Sequence, residues 1–256
     1  MIDMHCHILP GIDDGSKDVD MSIKMLKIAE EDGIDKIIAT PHFYRGHFEN
    51  EYQDVVKKVE ELNKIAYENK INVKIFPGQE IYIGKYTLKY YKEGKIKGLN
   101  NSNYMLIEFA MMDYPKDALD IIYELKVQGV KPIIAHPERY MYVQDDLSIL
   151  NDFIKEECYF QVNAGSINGV FGKKVQKTSM KLIKNNICDF IASDAHTTGR
   201  RSPKLKKALM TVHNENKSIY EKIVANNSKL LNGDKLCYVN EQIKEKPSFF
   251  RIFRRK

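Results

Sequence analysis

The sequence predicts a single α/β domain folded as a distorted seven-stranded barrel, and three observations predict it. Short apolar runs alternate with amphipathic helical stretches along the chain, which implies parallel strands joined by helical crossovers. The runs are apolar throughout, as in strands covered on both faces. There are seven of them, too few for the usual eight-stranded closure. A chain of 256 residues suffices for one such barrel around one core.

The first strand is the run Asp3-Met4-His5-Cys6-His7, followed by a turn at Asp13-Asp14-Gly15. Side chains alternate along a strand, so His5 and His7 share one face and Met4 and Cys6 the other. Ser16 is placed to cap a helix with Val19, Ile23, Leu26 and Ala29 at helical spacing, ending near Gly33. Residues 34–40 read as the second strand, with Pro41-His42 directly after it. A loop with Arg45 and His47 leads into a helix faced by Val55, Val59, Leu62 and Ala66. The third strand, 73–76, precedes Gly78-Gln79-Glu80, and residues 84–103 read as irregular with one short helix.

The fourth strand, 104–107, ends in Glu108-Phe109, and the helix after it, 114–128, stops at Gly129. The fifth, 130–135, runs into His136-Pro137-Glu138-Arg139-Tyr140. A helix at 147–157 precedes the sixth, 159–162, which ends in Asn163-Ala164-Gly165. After a helix at 173–185, the seventh, 187–192, runs into Ser193-Asp194-Ala195-His196. Helices at 203–212 and 219–230 complete a globular domain expected to span 1–243.

The net charge of +5 belongs to the remaining tail, 244–256, which leaves residues 1–243 formally neutral. A neutral body carries no electrostatic footprint for nucleic acid. The tail interleaves Phe249, Phe250 and Phe253 with Arg251, Arg254, Arg255 and Lys256. It supports two readings, a solubilising end or a weak peripheral contact with anionic membrane. No apolar run approaches a membrane span and no secretory leader is evident, so the expected location is cytoplasmic. Cys6, Cys158, Cys188 and Cys237 form no C-x-x-C pair, and none has an arginine six residues on. They read as buried, reduced thiols rather than a zinc ribbon or a cysteine-phosphatase loop.

The informative pattern lies at the end of each apolar run. His5, His7, His42, Glu80, Glu108, His136, Asp194 and His196 all stand at strand ends, which converge on one mouth in a parallel barrel. Any one of them reads equally well as an isolated residue at a strand end. Together they would be costly to bury as unpaired charges, whereas divalent cations between them satisfy the carboxylates and keep the imidazoles neutral. With Asp14 there are nine candidate ligands, too many for one ion and enough for two or three. Imidazole and carboxylate without thiolate favour manganese, iron or zinc. A multinuclear site suggests hydrolysis by metal-bound hydroxide, commonly at phosphorus. Arg139, and Arg200 or Arg201, come just after two of the ligand strands and would suit phosphate oxygens.

These motifs resemble a known family. His5-Cys6-His7 with Ile12-Asp13-Asp14-Gly15, Thr40-Pro41-His42, Gly78-Gln79-Glu80-Ile81, Leu106-Ile107-Glu108-Phe109, Ala135 to Tyr140 and Ala192 to His196 are similar to those of the PHP metallohydrolases. Among these, the CpsB/CapC-type bacterial protein-tyrosine phosphatases of capsule and exopolysaccharide synthesis match over about 1–231. The resemblance implies a (β/α)7 TIM-like barrel, three divalent ions with manganese preferred, and a tyrosine-phosphorylated bacterial tyrosine kinase tail as substrate. It implies metal ligation by His5, His7, Asp14, His42, Glu80, Glu108, His136, Asp194 and His196, with Glu80 bridging and Asp14, His42 and His196 around a third ion. It further implies phosphate binding by Arg139 and Arg201, with adjacent Arg200 competing for the second role. His42 or His196 would act as an acid only if not fully committed to metal.

Two alternatives stand beside this reading: a small-molecule PHP phosphatase such as a histidinol-phosphatase, and a non-catalytic metal-stabilised scaffold. The short chain and the Leu106 to Phe109 motif favour the phosphotyrosine enzyme over the first. The complete set of nine ligand positions disfavours the second.

Overall fold

The computed structural model describes residues 1–244. Its strands are β1 (Ile2–Cys6), β2 (Lys36–Ala39), β3 (His42–Tyr44), β4 (Phe48–Glu49), β5 (Lys74–Pro77), β6 (Glu80–Tyr82), β7 (Tyr104–Glu108), β8 (Lys131–Ala135), β9 (Tyr159–Asn163) and β10 (Phe190–Ala192). Its helices are α1 (Val19–Asp32), α2 (Tyr52–Glu68), α3 (Thr87–Lys92), α4 (Ala118–Val127), α5 (Met141–Asp145), α6 (Leu150–Lys155), α7 (Ala164–Ile167), α8 (Lys173–Lys184), α9 (Lys206–Glu215) and α10 (Lys217–Asn232).

Seven strand positions surround the axis, two of them broken in the middle. The second position is β2 then β3, interrupted at Thr40-Pro41; the third is β5 then β6, interrupted at Gly78-Gln79. The first halves form the parallel sheet β1-β2-β5, and the second halves join β7, β8, β9 and β10 in another, with antiparallel β4 on its edge. Pro41 has no N–H to give a ladder, which accounts for the first break. At the second, a Cβ on Gly78 would lie 2.8 Å from both Ile38 Cγ2 and Leu99 Cδ2, so only glycine fits. The ring closes where β10 meets β1: His7 N–H donates to Ala195 O and Asp194 N–H to His5 O, each at 2.9 Å. The expected seven-position distorted barrel is therefore present.

Two apolar layers hold it. The larger packs the helices onto the outer barrel face, with Leu26 and Ala29 of α1, Val55 and Leu62 of α2 and Leu182 of α8 among its members. The smaller gathers Met4, Ile38, Leu106, Ile133 and Phe190 beneath the mouth, plugged by Leu230, Leu231 and Leu236. Leu106 precedes Glu108 by two residues and so shares its face. The apolar layer is thus the floor under the polar one.

Several boundaries differ from those read in the sequence. Asp18, not Ser16, caps α1 by accepting from Met21 N–H at 2.8 Å; buried Ser16 instead donates to Asp18 O. The helix expected from residue 114 begins at Ala118, because Pro115 disfavours helical geometry at Tyr114. The last strand is shorter than expected, since Asp189 turns its carboxylate to accept from Phe160 N–H at 2.9 Å. The short strands β3 and β4 and helices α5 and α7 were not expected. Cys6, Cys158 and Cys188 are buried, but Cys237 is exposed, which corrects the expectation for that thiol. Beyond α10 the chain still engages the barrel, with Asn240 donating to Asp189 at 2.7 Å and Ile243 N–H to Asn151 at 2.7 Å. The aromatic and basic run 247–256 lies outside the described residues.

Candidate metal centre

All nine residues singled out in the sequence meet at the mouth. His5 lies within β1, with His7 just beyond; Glu108 closes β7; His136 comes directly after β8; Asp194 and His196 come after β10. His42 and Glu80 differ from the expectation, since each opens the second half of a broken strand rather than ending one. Register pairs them directly.

Glu80 is the centre. Its Oε2 lies 3.3 Å from His5 Nε2, 3.1 Å from His7 Nε2 and 3.2 Å from His42 Nδ1, and its Oε1 lies 2.9 Å from His136 Nε2. Glu108 stands 3.7 Å from both His42 Nδ1 and His136 Nε2. Asp194 Oδ1 is 3.5 Å from His5 Nε2 and 3.6 Å from His7 Nε2. Half-exposed Asp14 completes the outer side, 3.3 Å from His42 Nε2 and 3.4 Å from His196 Nε2. Three overlapping groups each bring their donor atoms within 4.8 Å of one another: His5, His7, Glu80 and Asp194; His42, Glu80 and Glu108; and His7, Asp14, His42 and His196.

The surrounding residues orient these rings. His7 Nδ1 donates to Asp13 Oδ2 at 2.8 Å, and the same carboxylate accepts from His42 N–H at 3.1 Å. For His5 the tautomer is set by a chain of amides. Asp194 can only accept, so Asn163 presents Nδ2 to it at 2.7 Å and Oδ1 to Gln161 Nε2 at 2.8 Å. Gln161 then turns Oε1 to His5 Nδ1 at 2.9 Å. His196 Nδ1 faces Asp194 O at 3.0 Å. The Nε2 atoms of His5, His7 and His196 are therefore the ones turned into the cluster, where a cation would take the place of their protons. Backbone geometry is specialised too: His136 and Asp194 have φ of 32° and 50° without being glycine. A Cβ on Gly15 would meet His7 O at 2.3 Å, so glycine there lets the Asp13-Asp14 turn close over His7.

The electrostatics favour a cation. Burial pushes Glu108 up to about 9, reinforced by neighbouring Glu80 and Asp194. Burial would also raise Glu80 and Asp194, but the histidines hold Glu80 well below the usual carboxylate range, and His5 and Arg201 do the same for Asp194. Burial lowers His136 to about 4, and its Nδ1 has no hydrogen-bond partner. Inward-facing imidazole nitrogens, clustered carboxylates and an acid forced to keep its proton are a donor set that divalent ions would satisfy.

Both phosphate-site arginines of the sequence reading reach the cluster through Asp194. Arg139 Nη1 contacts Oδ2 and Arg201 Nη2 contacts Oδ1, each at 2.9 Å. Both guanidinium groups lie over the Phe171 ring, at 4.9 and 5.9 Å from its centroid. Arg200 points away, exposed, to Val170 O at 2.6 Å. Of the two adjacent arginines, Arg201 is thus the one that reaches Asp194.

Sequence reading missed Asp13, Gln161, Asn163 and Phe171. Gln161-x-Asn163 at the end of an apolar strand was the available signal for two of them. Phe171 sits in a loop and gave none.

The family model for capsular polysaccharide synthesis, CpsB/CapC, matches residues 1–232. The tyrosine-protein phosphatase YwqE of Bacillus subtilis is 36% identical over 231 residues, which cover 90% of this chain and 91% of that protein. The tyrosine-protein phosphatase CpsB of Streptococcus agalactiae is 30% identical over 213 residues, 81% of this chain and 88% of the relative. A crystal structure from work on YwqE of Bacillus subtilis and CpsB of Streptococcus pneumoniae, described there as metal-dependent tyrosine phosphatases, superposes with a TM-score of 0.92 at 34% identity, covering 96% of this chain and 100% of that one. A histidinol phosphate phosphatase from Lactococcus lactis, with a TM-score of 0.53 at 15% identity over 86% and 92% of the two chains, shares the fold alone. With its whole barrel matched and all nine donors assembled, the chain belongs to the CpsB/CapC family of capsular polysaccharide synthesis.

Proposed function

We propose that the chain is a metal-dependent protein-tyrosine phosphatase acting on a bacterial tyrosine kinase that regulates capsule or exopolysaccharide synthesis. The observation that carries the reading is the buried cluster centred on Glu80 with two arginines on Asp194 at its rim. The names of its relatives give the phosphotyrosine substrate. Nine ligands suit three ions. Glu80, Glu108 and His136 would hold ions together with His5, His7 and Asp194 on the inner side and with Asp14, His42 and His196 on the outer side. A donor set of nitrogen and oxygen supports manganese, with iron or zinc as alternatives.

Bound divalent ions supply an acidified water as nucleophile and neutralise phosphoryl charge. The chain's own residues do the rest. Arg139 and Arg201, held in place by Asp194 and Phe171, grip phosphoryl oxygens as charge develops. His42 and His196 have their ring nitrogens turned to carboxylates or backbone, which supports ligation rather than acid catalysis. Tyrosine phenolate, with a parent pKa of about 10, departs without strong protonation. No helix among the described residues is long and apolar enough to cross a membrane. The tail 247–256 supports a cytoplasmic enzyme in peripheral contact with the membrane that carries its kinase; its deletion would lower liposome binding in a salt-sensitive way.

The test is bound-metal analysis with turnover of phosphotyrosine peptide and of histidinol phosphate, before chelation and after manganese readdition. Loss and recovery of phosphotyrosine hydrolysis, with three ions per chain, is expected. Preference for histidinol phosphate would refute the substrate, and full activity after chelation the metal.

A further inference from the structure

A cavity of about 210 Å³ opens beside the cluster and contains none of its ligands. Phe43, Ile81, Ile83 and Ile96 floor it, and Tyr86 and Tyr90 along α3 wall it. Its inner edge is made by Tyr44 and Tyr82, each two residues beyond a ligand of the cluster, His42 on β3 and Glu80 on β6. Strand alternation puts these tyrosines on the ligands' face, one step of about 7 Å toward solvent. Phe43, Ile81 and Ile83 instead face outward into the helix layer, so the cavity lies across the strand tips from the cluster. Their rings stack at 4.2 Å, and His47 stacks on Tyr44 at 4.2 Å.

The rim is cationic. The Arg45 guanidinium lies 4.1 Å from the Tyr86 ring centroid and Lys85 Nζ 5.0 Å from the same centroid. Both side chains are exposed, and among the described residues neither has a carboxylate within ion-pair distance. Some lysines elsewhere on the surface are tied to acids, such as Lys57 to Asp54, Lys58 to Glu61 and Lys155 to Asp152. An aromatic hollow with two unspent cations, across the tips of the two strands that carry His42 and Glu80, fits an acidic segment with an aromatic side chain.

We infer that this cavity is a specificity subsite, which takes an aromatic side chain one or two residues from the phosphotyrosine while flanking carboxylates meet Arg45 and Lys85. The inference rests on the phosphotyrosine reading above. An extended peptide advances about 3.4 Å per residue, so one or two positions span the step from His42 and Glu80 to the tyrosine pair. The stacked pair Tyr44 and Tyr82 borders the way over the strand tips, and the apolar floor beyond them accepts the ring.

The test uses the manganese-loaded full chain with phosphotyrosine peptides carrying Phe or Ala two residues away, in acidic or neutral flanks, and with para-nitrophenyl phosphate. Replacing Phe by Ala in the peptide is expected to raise KM about tenfold. Arg45→Gln is expected to raise KM several-fold for acidic peptides only, more so at low salt. Tyr86→Ala, checked for an unchanged Tm, is expected to weaken the preference for Phe. Turnover of para-nitrophenyl phosphate is expected to stay unchanged in both variants. Equal KM for all peptides, or parallel changes with para-nitrophenyl phosphate, would overturn the subsite. Equilibrium binding of the same peptides with a phosphonate in place of the phosphate separates the two readings. Wild-type protein that hydrolyses nothing sinks the phosphatase, whereas binding blind to the aromatic residue and to Arg45→Gln sinks the subsite alone.

Discussion

His5 and His7 face each other through Nε2 atoms 3.2 Å apart, while the Nδ1 of each already faces an outer acceptor, Gln161 Oε1 and Asp13 Oδ2. Both Nε2 atoms also lie within 3.3 Å of Glu80 Oε2, where a bound divalent ion would replace the protons they share with that carboxylate. Manganese readdition to chelated protein should therefore raise Tm in a concentration-dependent way, with about 2.7 kcal/mol of stabilisation at a hundredfold excess over Kd. A melting curve indifferent to the metal would contradict the assignment.

Gln161 is fully buried and sets which nitrogen of His5 carries the proton. Gln161→Leu should weaken metal binding by about 10- to 100-fold, the usual effect of removing a partner behind a ligating imidazole. Calorimetric titration of the metal-free variant measures it, with circular dichroism as the check on folding. Affinity equal to wild type would show that the amide chain is packing only.

The two adjacent arginines should behave oppositely. Arg201→Ala, like Arg139→Ala, is expected to cost about 10²- to 10³-fold in kcat/KM for phosphotyrosine peptide, in line with other anion-stabilising donors. Arg200→Ala should stay within twofold of wild type, because its side chain is spent on Val170 O. Equal losses at 200 and 201 would overturn the geometric choice between them.

Away from the mouth, Asp189 is buried, and Lys222 Nζ lies 3.2 Å from its Oδ1. Burial raises its pKa, with Lys222 the largest opposing influence. Lys222→Met should cost about 3–5 kcal/mol at pH 8, where the carboxylate is left buried without its cation. The loss should shrink at pH 5. With its pKa raised further, folded Asp189 holds a proton that the unfolded chain releases, so stability falls as pH rises between the two values. Urea denaturation of wild type and variant at both pH values decides it; a pH-independent difference would disprove the account.

Much of this was legible in the chain. The repeated sequence of apolar run, then His or acid, marks a strand and its tip in one stroke, so barrel and donor set were read together. The breaks at Pro41 and Gly78 were hidden because 34–40 and 73–76 look like ordinary strands, and only pairing with different neighbours divides them. Gln161 and Asn163 were passed over because amides carry no charge signature; their meaning lies in a hydrogen-bond chain that runs to Asp194, on another strand. Asp13 was visible beside Asp14, but nothing in two consecutive aspartates says which one backs an imidazole and which faces the opening.

The broken strands have a consequence for how such a chain can change. One residue gained or lost at 40–41 or 78–79 would flip His42 or Glu80 to the opposite face, yet the rows of β2 and β5 beneath would stay in register with β1. Cage and foundation are thus written at separate addresses, and selection can remodel the first without excavating the second.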